Sequence, residues 1–503
     1  MSLYVNITKW ALIRNAFMNL VGQVIPMFVV FFTLPYVVDG LGVMRYGIFS
    51  LVRVIIDYFS VFDIGMGIAT TRFTADAIGR GETKKVVQIF WTSLSVVFLV
   101  GLAATLLFLT VSPLLMKYVF AVEPDMIEEM QKVFMIASPL ILALLVRSVS
   151  IGVLQAYQRF DLVNFVQIPY LIMAALIPVV VIYCGYGLPI VIFWMVIMEL
   201  IIMVIWLIIS YGVIPRKKIF FLDILSLKKM IAFGGLLAIQ RLTNGVVFNI
   251  HSVIVGSLIS LAAITYYNVP WNLTSKVGLV GASITPIIFP LVSLFHGVNE
   301  EKSSVLLSNS LKYFMLLYGL PCLVLILFAK DILVFWMGTD FTKSILVMQI
   351  MALGIFFAGV SWVFSTFLQV YNPKLITLIT IIQAPFHVLM TWILTVKFGI
   401  TGTACAWALL CVLSALVGCT YFVKIKVLKI SKKPSLTVTK GLASIFLVVG
   451  VIILLKHLMI FSLFSAGVNI LILTTGYAII AWQYFVLEEH KRELIVKINC
   501  WRS

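Results

Sequence analysis

A succession of apolar runs, each long enough to cross a bilayer as a helix, constrains this chain more than any other feature. The runs fall at 10–38, 43–70, 86–110, 131–154, 162–183, 188–210, 231–258, 266–295, 306–329, 344–370, 375–396, 402–423, 441–461 and 466–487, fourteen in all. About 20 apolar residues make one helical crossing, and in lipid only helices or closed barrels satisfy every backbone polar group. The longest connections, around 111–130 and 211–230, leave no room for a soluble catalytic domain. Of 503 residues, 62% are hydrophobic and 11% charged, with a mean hydropathy of +1.15. A soluble domain carries roughly 45–50% apolar and about 25% charged residues. The expected fold is an all-α polytopic membrane protein with about 14 transmembrane helices.

The net charge of +17 would point to nucleic acid in a soluble protein. No RNP-like pattern, zinc-finger spacing or basic helix supports that reading, and no nucleic-acid partner is expected. With the N-terminus inside, 24 of the 36 Lys and Arg residues fall on inner segments, among them Arg216-Lys217-Lys218 and the run from Lys424 to Lys440. Only six fall on outer segments: Lys117, Lys132, Lys330, Lys343, Lys397 and Lys456. This is the positive-inside pattern, and it places both termini in the cytoplasm. Arg45 and Lys312 sit near span ends, where long cationic side chains reach the interface. Cys184, Cys322, Cys405, Cys411, Cys419 and Cys500 form no CxxC pair and read as small buried hydrophobes. Glu123, Asp125, Glu128 and Glu129 read as a solvated helix start. No cleavable leader is expected at the N-terminus, and no cofactor or metal is implied.

The chain repeats itself at a period near 216 residues. Leu154-Gln155-Ala156-Tyr157 returns as Leu368-Gln369-Val370-Tyr371, Gln167-Ile168-Pro169 as Gln383-Ala384-Pro385, and Tyr186-Gly187-Leu188 as Phe398-Gly399-Ile400. Lys9 aligns with Lys229 and Tyr46 with Tyr266. Six spans separate equivalents, so the halves share one orientation and predict a pseudo-twofold along the membrane normal. The expected divisions are an N-lobe at 1–212 (spans 1–6), a C-lobe at 213–424 (spans 7–12), and 425–503 with a basic loop, two further spans and a cytoplasmic tail. Such a duplication is the architecture of alternating access.

Polar residues inside spans are costly and face a bundle interior or wet cavity. Asn15, Asn19 and Gln23 form a stripe at helical spacing on span 1, answered on span 7 by Gln240, Asn244 and His251 on one face. Arg53 and Asp57 lie one turn apart and can pair; Asp63 follows, ahead of Gly65 and Gly67. Arg147, Glu199, Arg241 and Lys276 complete the set, and the repeat offset puts Lys276 beside the position of Arg53. Four cations against Asp57, Asp63 and Glu199 leave one net positive charge. One reading is a cationic cavity for phosphate or another anion, lined by Arg53, Arg147, Arg241 and Lys276. The polar stripes would then contact sugar or bond between helices, and Glu199 would be a proton or cation site. The other reading is structural, with Arg53–Asp57 an internal pair and Asp63 a cap or kink. His251 and His387 read as helix-packing polar groups, and Pro26, Pro35, Pro169, Pro178, Pro286, Pro290 and Pro385 as positions where spans kink.

Leu41-Gly42 with Tyr46-Gly47-Ile48-Phe49, then Asp63-Ile64-Gly65 and Arg72, resemble the N-terminal signature of Wzx-type polysaccharide flippases. The resemblance continues through Leu154-Gln155-Ala156-Tyr157-Gln158-Arg159-Phe160 and through Trp336-Met337-Gly338 with Phe341, in order and spacing over essentially the whole chain. These proteins belong to the multidrug/oligosaccharidyl-lipid/polysaccharide superfamily, whose fold is two six-helix lobes. The resemblance implies a transporter, not an enzyme. It would move undecaprenyl-pyrophosphate-linked oligosaccharide from inner to outer leaflet of the bacterial cytoplasmic membrane, for O-antigen, capsule or exopolysaccharide. Arg53, Arg241 and Lys276 are the residues that by position and type would meet the pyrophosphate. Lipid, polymerase and chain-length proteins are the implied neighbours. Related lipid II flippases carry a stronger arginine cluster, which argues against lipid II as cargo. The alternatives are a multidrug cation antiporter of the same superfamily, with an acidic site and twelve spans, and an integral-membrane polysaccharide polymerase.

Overall fold

The computed structural model describes residues 9–63, 65–215, 223–424, 463–480 and 483. Every regular element among the described residues is helical. In chain order the α-helices are α1 (Lys9–Phe59), α2 (Met66–Gly79), α3 (Thr83–Tyr118), α4 (Ile127–Ala137), α5 (Pro139–Ala156), α6 (Phe160–Tyr183), α7 (Leu188–Val213) and α8 (Ile224–Leu258). They continue with α9 (Leu261–Thr274), α10 (Gly278–Phe295), α11 (Glu300–Leu327), α12 (Ala329–Met337), α13 (Ile345–Tyr371), α14 (Pro373–Lys424) and α15 (Leu463–Ile480). The run at 441–461 lies outside the described residues.

Two of these elements are each a pair of helices meeting at a glycine. The 51-residue α1 breaks at Gly42 (φ 75°, ψ 160°), and the 52-residue α14 breaks at Gly399 (φ 62°, ψ −143°). A residue with a Cβ adopts such angles only at a cost, so these glycines are where the chain turns between neighbouring apolar runs. N-caps mark other starts: Asp223 accepts from the Ser226 N–H at 3.1 Å ahead of α8, and Asn299 from that of Lys302 at 2.9 Å ahead of α11.

The structure divides three runs that read as single spans. The run 43–70 ends as α1 at Phe59, passes through a 3₁₀ turn at Ser60–Asp63, and restarts at Met66. The run 131–154 divides at Ser138 because Pro139 takes the first position of α5, where its missing N–H costs nothing. The run 266–295 is interrupted by a 3₁₀ turn at Ser275–Val277, which carries Lys276. Helices α1, α6, α10 and α14 run on through Pro26, Pro35, Pro169, Pro178, Pro286, Pro290 and Pro385, and the chain restarts at glycines and 3₁₀ turns instead.

Eight segments of the described residues are long and apolar enough to cross a bilayer. Phe160–Tyr183 has a mean hydropathy of 2.4, yet only 17% of that window is buried inside the protein. Exposed aromatic and aliphatic residues such as Phe32, Leu99, Phe165 and Ile208 continue that surface. An apolar face of this extent is compatible with lipid and not with water. The chain is a multi-pass membrane protein.

Contacts group the described residues into two compact units, 9–268 with Thr380–Thr403, and 269–379 with the residues from Ala404 on. In the first, α5 packs against α2, α3 and α7, and Leu154, Val166, Met198, Ile202 and Trp206 form an apolar cluster. In the second, α11 and α13 pack around Phe314, Tyr318, Phe364, Phe367, Trp407 and Phe422. There Tyr477 of α15 donates to the Leu316 carbonyl at 2.9 Å.

Candidate functional site

Four of the charged residues singled out in the sequence come together in the first unit. Arg147 on α5 reaches Glu199 on α7, with Nη1 and Oε1 2.9 Å apart. The Glu199 side chain is 4% exposed and that of Arg147 17%. The Arg147 guanidinium also lies over the Tyr170 ring of α6, 5.1 Å from its centre. One ion pair thus ties three helices, in a setting where either charge alone would be expensive. On the second arm of α1, Arg53 and Asp57 stand one turn apart, both accessible. The Arg53 guanidinium lies 5.9 Å from the Phe49 ring centre. Arg53 and, more weakly, Arg147 are the cations whose fields act on Asp57.

Asp63 has a structural position. Its buried carboxylate accepts the Ser148 hydroxyl at 2.8 Å and the Gly67 N–H at 3.3 and 3.4 Å. It therefore caps the first turn of α2 and ties it to α5, one residue from Arg147. The two glycines that follow make this possible. Gly65 has φ 67°, and a Cβ there would stand 2.5 Å from the Gly234 carbonyl oxygen of α8. A Cβ on Gly152 of α5 would stand 2.4 Å from the Gly67 oxygen. The start of α2 is wedged between α5 and α8 by backbone contacts that side chains would prevent.

This geometry changes the charge arithmetic. Among the described side chains of the first unit, Arg53 and Arg147 face Asp57, Glu199 and Asp63, so Arg147 is balanced where it stands. Lys276 lies in the second unit, partly buried in its 3₁₀ turn. Gln240, Arg241 and Asn244 lie on the backbone of α8, and Asn15, Asn19 and Gln23 on that of α1. The side chains of these six lie outside the described residues.

Three contacts are not read from sequence. Arg45, expected at the interface, is held by Glu129 of α4, its Nε–H shared between Oε1 at 2.8 Å and Oε2 at 2.9 Å. Arg72 at the end of the second run lies over the Phe233 ring of α8, 4.1 Å from its centre. His251 of α8 and His387 of α14 meet with their Nε2 atoms 3.1 Å apart. Each partner is distant in sequence, so spacing gives no signal for any of them.

A family model described as polysaccharide biosynthesis protein matches residues 12–296. The chain belongs to the polysaccharide biosynthesis protein family. The matched region of this family holds Arg53, Asp57, Asp63, Arg147, Glu199, Arg241 and Lys276. A Shigella flexneri protein classed as an O-antigen transporter is 23% identical over 414 residues, 81% of this chain and 96% of that protein. A Haloferax volcanii protein classed as a low-salt glycan biosynthesis flippase is 28% identical over 158 residues, 31% of this chain and 34% of its own. Among solved structures, the lipid II flippase MurJ in an inward closed conformation aligns with a TM-score of 0.74 at 17% identity, over 96% of this chain and 100% of its own. An inward-facing MATE family multidrug transporter aligns at 0.69 and 13% identity, over 81% and 98%. These likenesses place this family member in the fold those transporters share.

Proposed function

We propose that this chain is a lipid-linked oligosaccharide flippase, a transporter and not an enzyme. It carries undecaprenyl-pyrophosphate-linked sugar units from the inner to the outer leaflet of a bacterial cytoplasmic membrane. The observation that carries this reading is the family membership, together with likeness to an O-antigen transporter over nearly that protein's whole length. A multi-pass helical fold with short connections suits cargo whose lipid tail stays in the bilayer. The repeated halves, 1–212 and 213–424, suit alternating access, and the 24-to-6 distribution of basic residues supports both termini in the cytoplasm. Residues 425–503 would add the last two spans and a tail. Polymerase and chain-length proteins are the natural recipients of the product. MATE transporters share the fold, but the relatives classed by cargo handle glycans, and that decides between the two.

Arg53, Arg241 and Lys276 are assigned to the pyrophosphate, for which cationic side chains supply charge-assisted hydrogen bonds. Arg147 is committed to Glu199 and positions its neighbours. Asn15, Asn19, Gln23, Gln240 and Asn244 are assigned to sugar hydroxyls. Deleting the gene in a strain where this chain is the sole family member tests the reading. Lipid-linked oligosaccharide should accumulate unpolymerised and surface polymer should disappear; normal surface polymer would overturn it.

A further inference from the structure

Lys276 stands in the 3₁₀ turn Ser275–Val277 that joins α9 to α10. A 3₁₀ turn has poorer hydrogen-bond geometry than the α-helices it connects. Lysine carries its ammonium on a flexible four-carbon stem, so the placement of that charge depends on how firmly the turn is held. Helices α11 and α13 hold it on both flanks. After the turn, the Tyr318 hydroxyl of α11 donates to the Gly278 carbonyl at 3.3 Å. Trp362 of α13 closes on the same residue, where a Cβ would stand 2.9 Å from the Trp362 Cη2 atom. Before the turn, the buried Thr274 hydroxyl donates to the Pro270 carbonyl at 2.9 Å and reaches the Met351 sulfur of α13 at 3.9 Å.

Tyr318 is itself fixed. Its side chain is buried, and its ring stands edge-to-face with that of Trp362, centres 6.3 Å apart. It presses on α13 at Gly359, where a Cβ would stand 2.8 Å from the ring. Phe314, Phe364 and Phe367 fill the same core without a polar atom, so packing alone does not call for a hydroxyl at 318. Burying a hydroxyl costs free energy unless it is bonded, and this one is bonded two positions after Lys276.

We infer that Tyr318 and Trp362 are positioning residues for Lys276: they fix the turn from which its ammonium meets the anionic headgroup of the cargo. The inference deepens the flippase reading and rests on it, and on the assignment of Lys276 to the pyrophosphate. Tyr318 and Trp362 act through the backbone at 276–278 and need not touch the cargo. A binding side chain works only when its support holds it in the productive geometry, and here that support comes from two other helices.

The test uses the purified full chain in vesicles that carry undecaprenyl-pyrophosphate-linked oligosaccharide in one leaflet. The rate at which sugar appears on the other face is followed against cargo content. Tyr318→Phe keeps the ring and removes one neutral hydrogen bond, so half-saturating cargo should rise about two- to tenfold with the maximal rate unchanged. Lys276→Ala should raise it as well, and Tyr318→Phe should then add nothing, because coupled residues are not additive. A tyrosine that serves stability alone would keep its effect in the Lys276→Ala background. Unchanged half-saturation in Tyr318→Phe, an effect of full size without Lys276, or no effect of Lys276→Ala would each overturn the inference, while transport by the unsubstituted chain leaves the flippase reading standing. If Tyr318→Phe does not accumulate, Trp362→Phe must give the same shift and the same dependence on Lys276. An unsubstituted chain that moves no cargo would overturn the flippase reading and this inference together.

Discussion

Removing the Glu199 carboxylate is the most informative single perturbation of the first unit. In Glu199→Ala the Arg147 guanidinium keeps the Tyr170 ring but loses the anion 2.9 Å away, while its side chain is only 17% exposed. Breaking a buried pair from one side costs about 3–5 kcal/mol, because the other charge is stranded. An exposed pair such as Arg80–Asp76, with side chains 62% and 48% exposed, contributes about 0–1 kcal/mol by the same comparison. Arg147→Ala should be similarly damaging. The double variant should cost less than the sum, with a coupling of about 1–3 kcal/mol. Arg147→Met with Glu199→Leu, which keeps volume and removes both charges, should be near neutral. The assay is thermal unfolding of the purified chain in detergent, with export and membrane abundance measured in parallel. Additivity of the two single changes, or a Met/Leu double variant as unstable as Glu199→Ala, would refute a structural pair. Loss of export by a stable Met/Leu variant would instead make Arg147 a cargo contact.

Other consequences follow from the same geometry. Asp63→Ala removes the α2 cap and the tie to Ser148, whose hydroxyl keeps the Leu145 carbonyl at 2.8 Å, and should lower stability by about 1–3 kcal/mol; Ser148→Ala should cost less, both read from unfolding midpoints. Gly152→Ala places a methyl 2.4 Å from the Gly67 oxygen and should cost about 1–3 kcal/mol as overpacking. Gly79→Ala, with open space around its Cβ, should be neutral or slightly stabilising. Arg53→Ala, Arg241→Ala and Lys276→Ala should each reduce export at unchanged membrane abundance; full export by all three would remove the anion-contact assignment.

The apolar runs were legible because their length is a property of local sequence, and so were the gaps at 39–42 and 397–401, where the chain turns at Gly42 and Gly399. The break at 60–65 was not, because apolar residues continue through Val61, Phe62, Ile64 and Met66 while the cause lies in Ser148 and Gly234 on other helices. Arg53 and Asp57 could be associated from their helical spacing. Arg147 and Glu199 could be identified as buried charges but not joined, since 52 positions separate them. The sum of charges therefore could not show that Glu199 balances Arg147 where it stands. Histidines 251 and 387 read separately as packing groups because neither sequence neighbourhood names the other. Helices α1, α6, α10 and α14 continue through their prolines, as a span can when the freed carbonyl is satisfied elsewhere.

The central claim is tested most directly by the purified chain in vesicles that carry undecaprenyl-pyrophosphate-linked oligosaccharide in one leaflet. A membrane-impermeant glycosidase added outside reports how fast the sugar appears on that face. The account predicts that appearance is accelerated by the protein and slowed by Arg53→Ala and Lys276→Ala. Sugar that appears no faster than in vesicles without protein would contradict it.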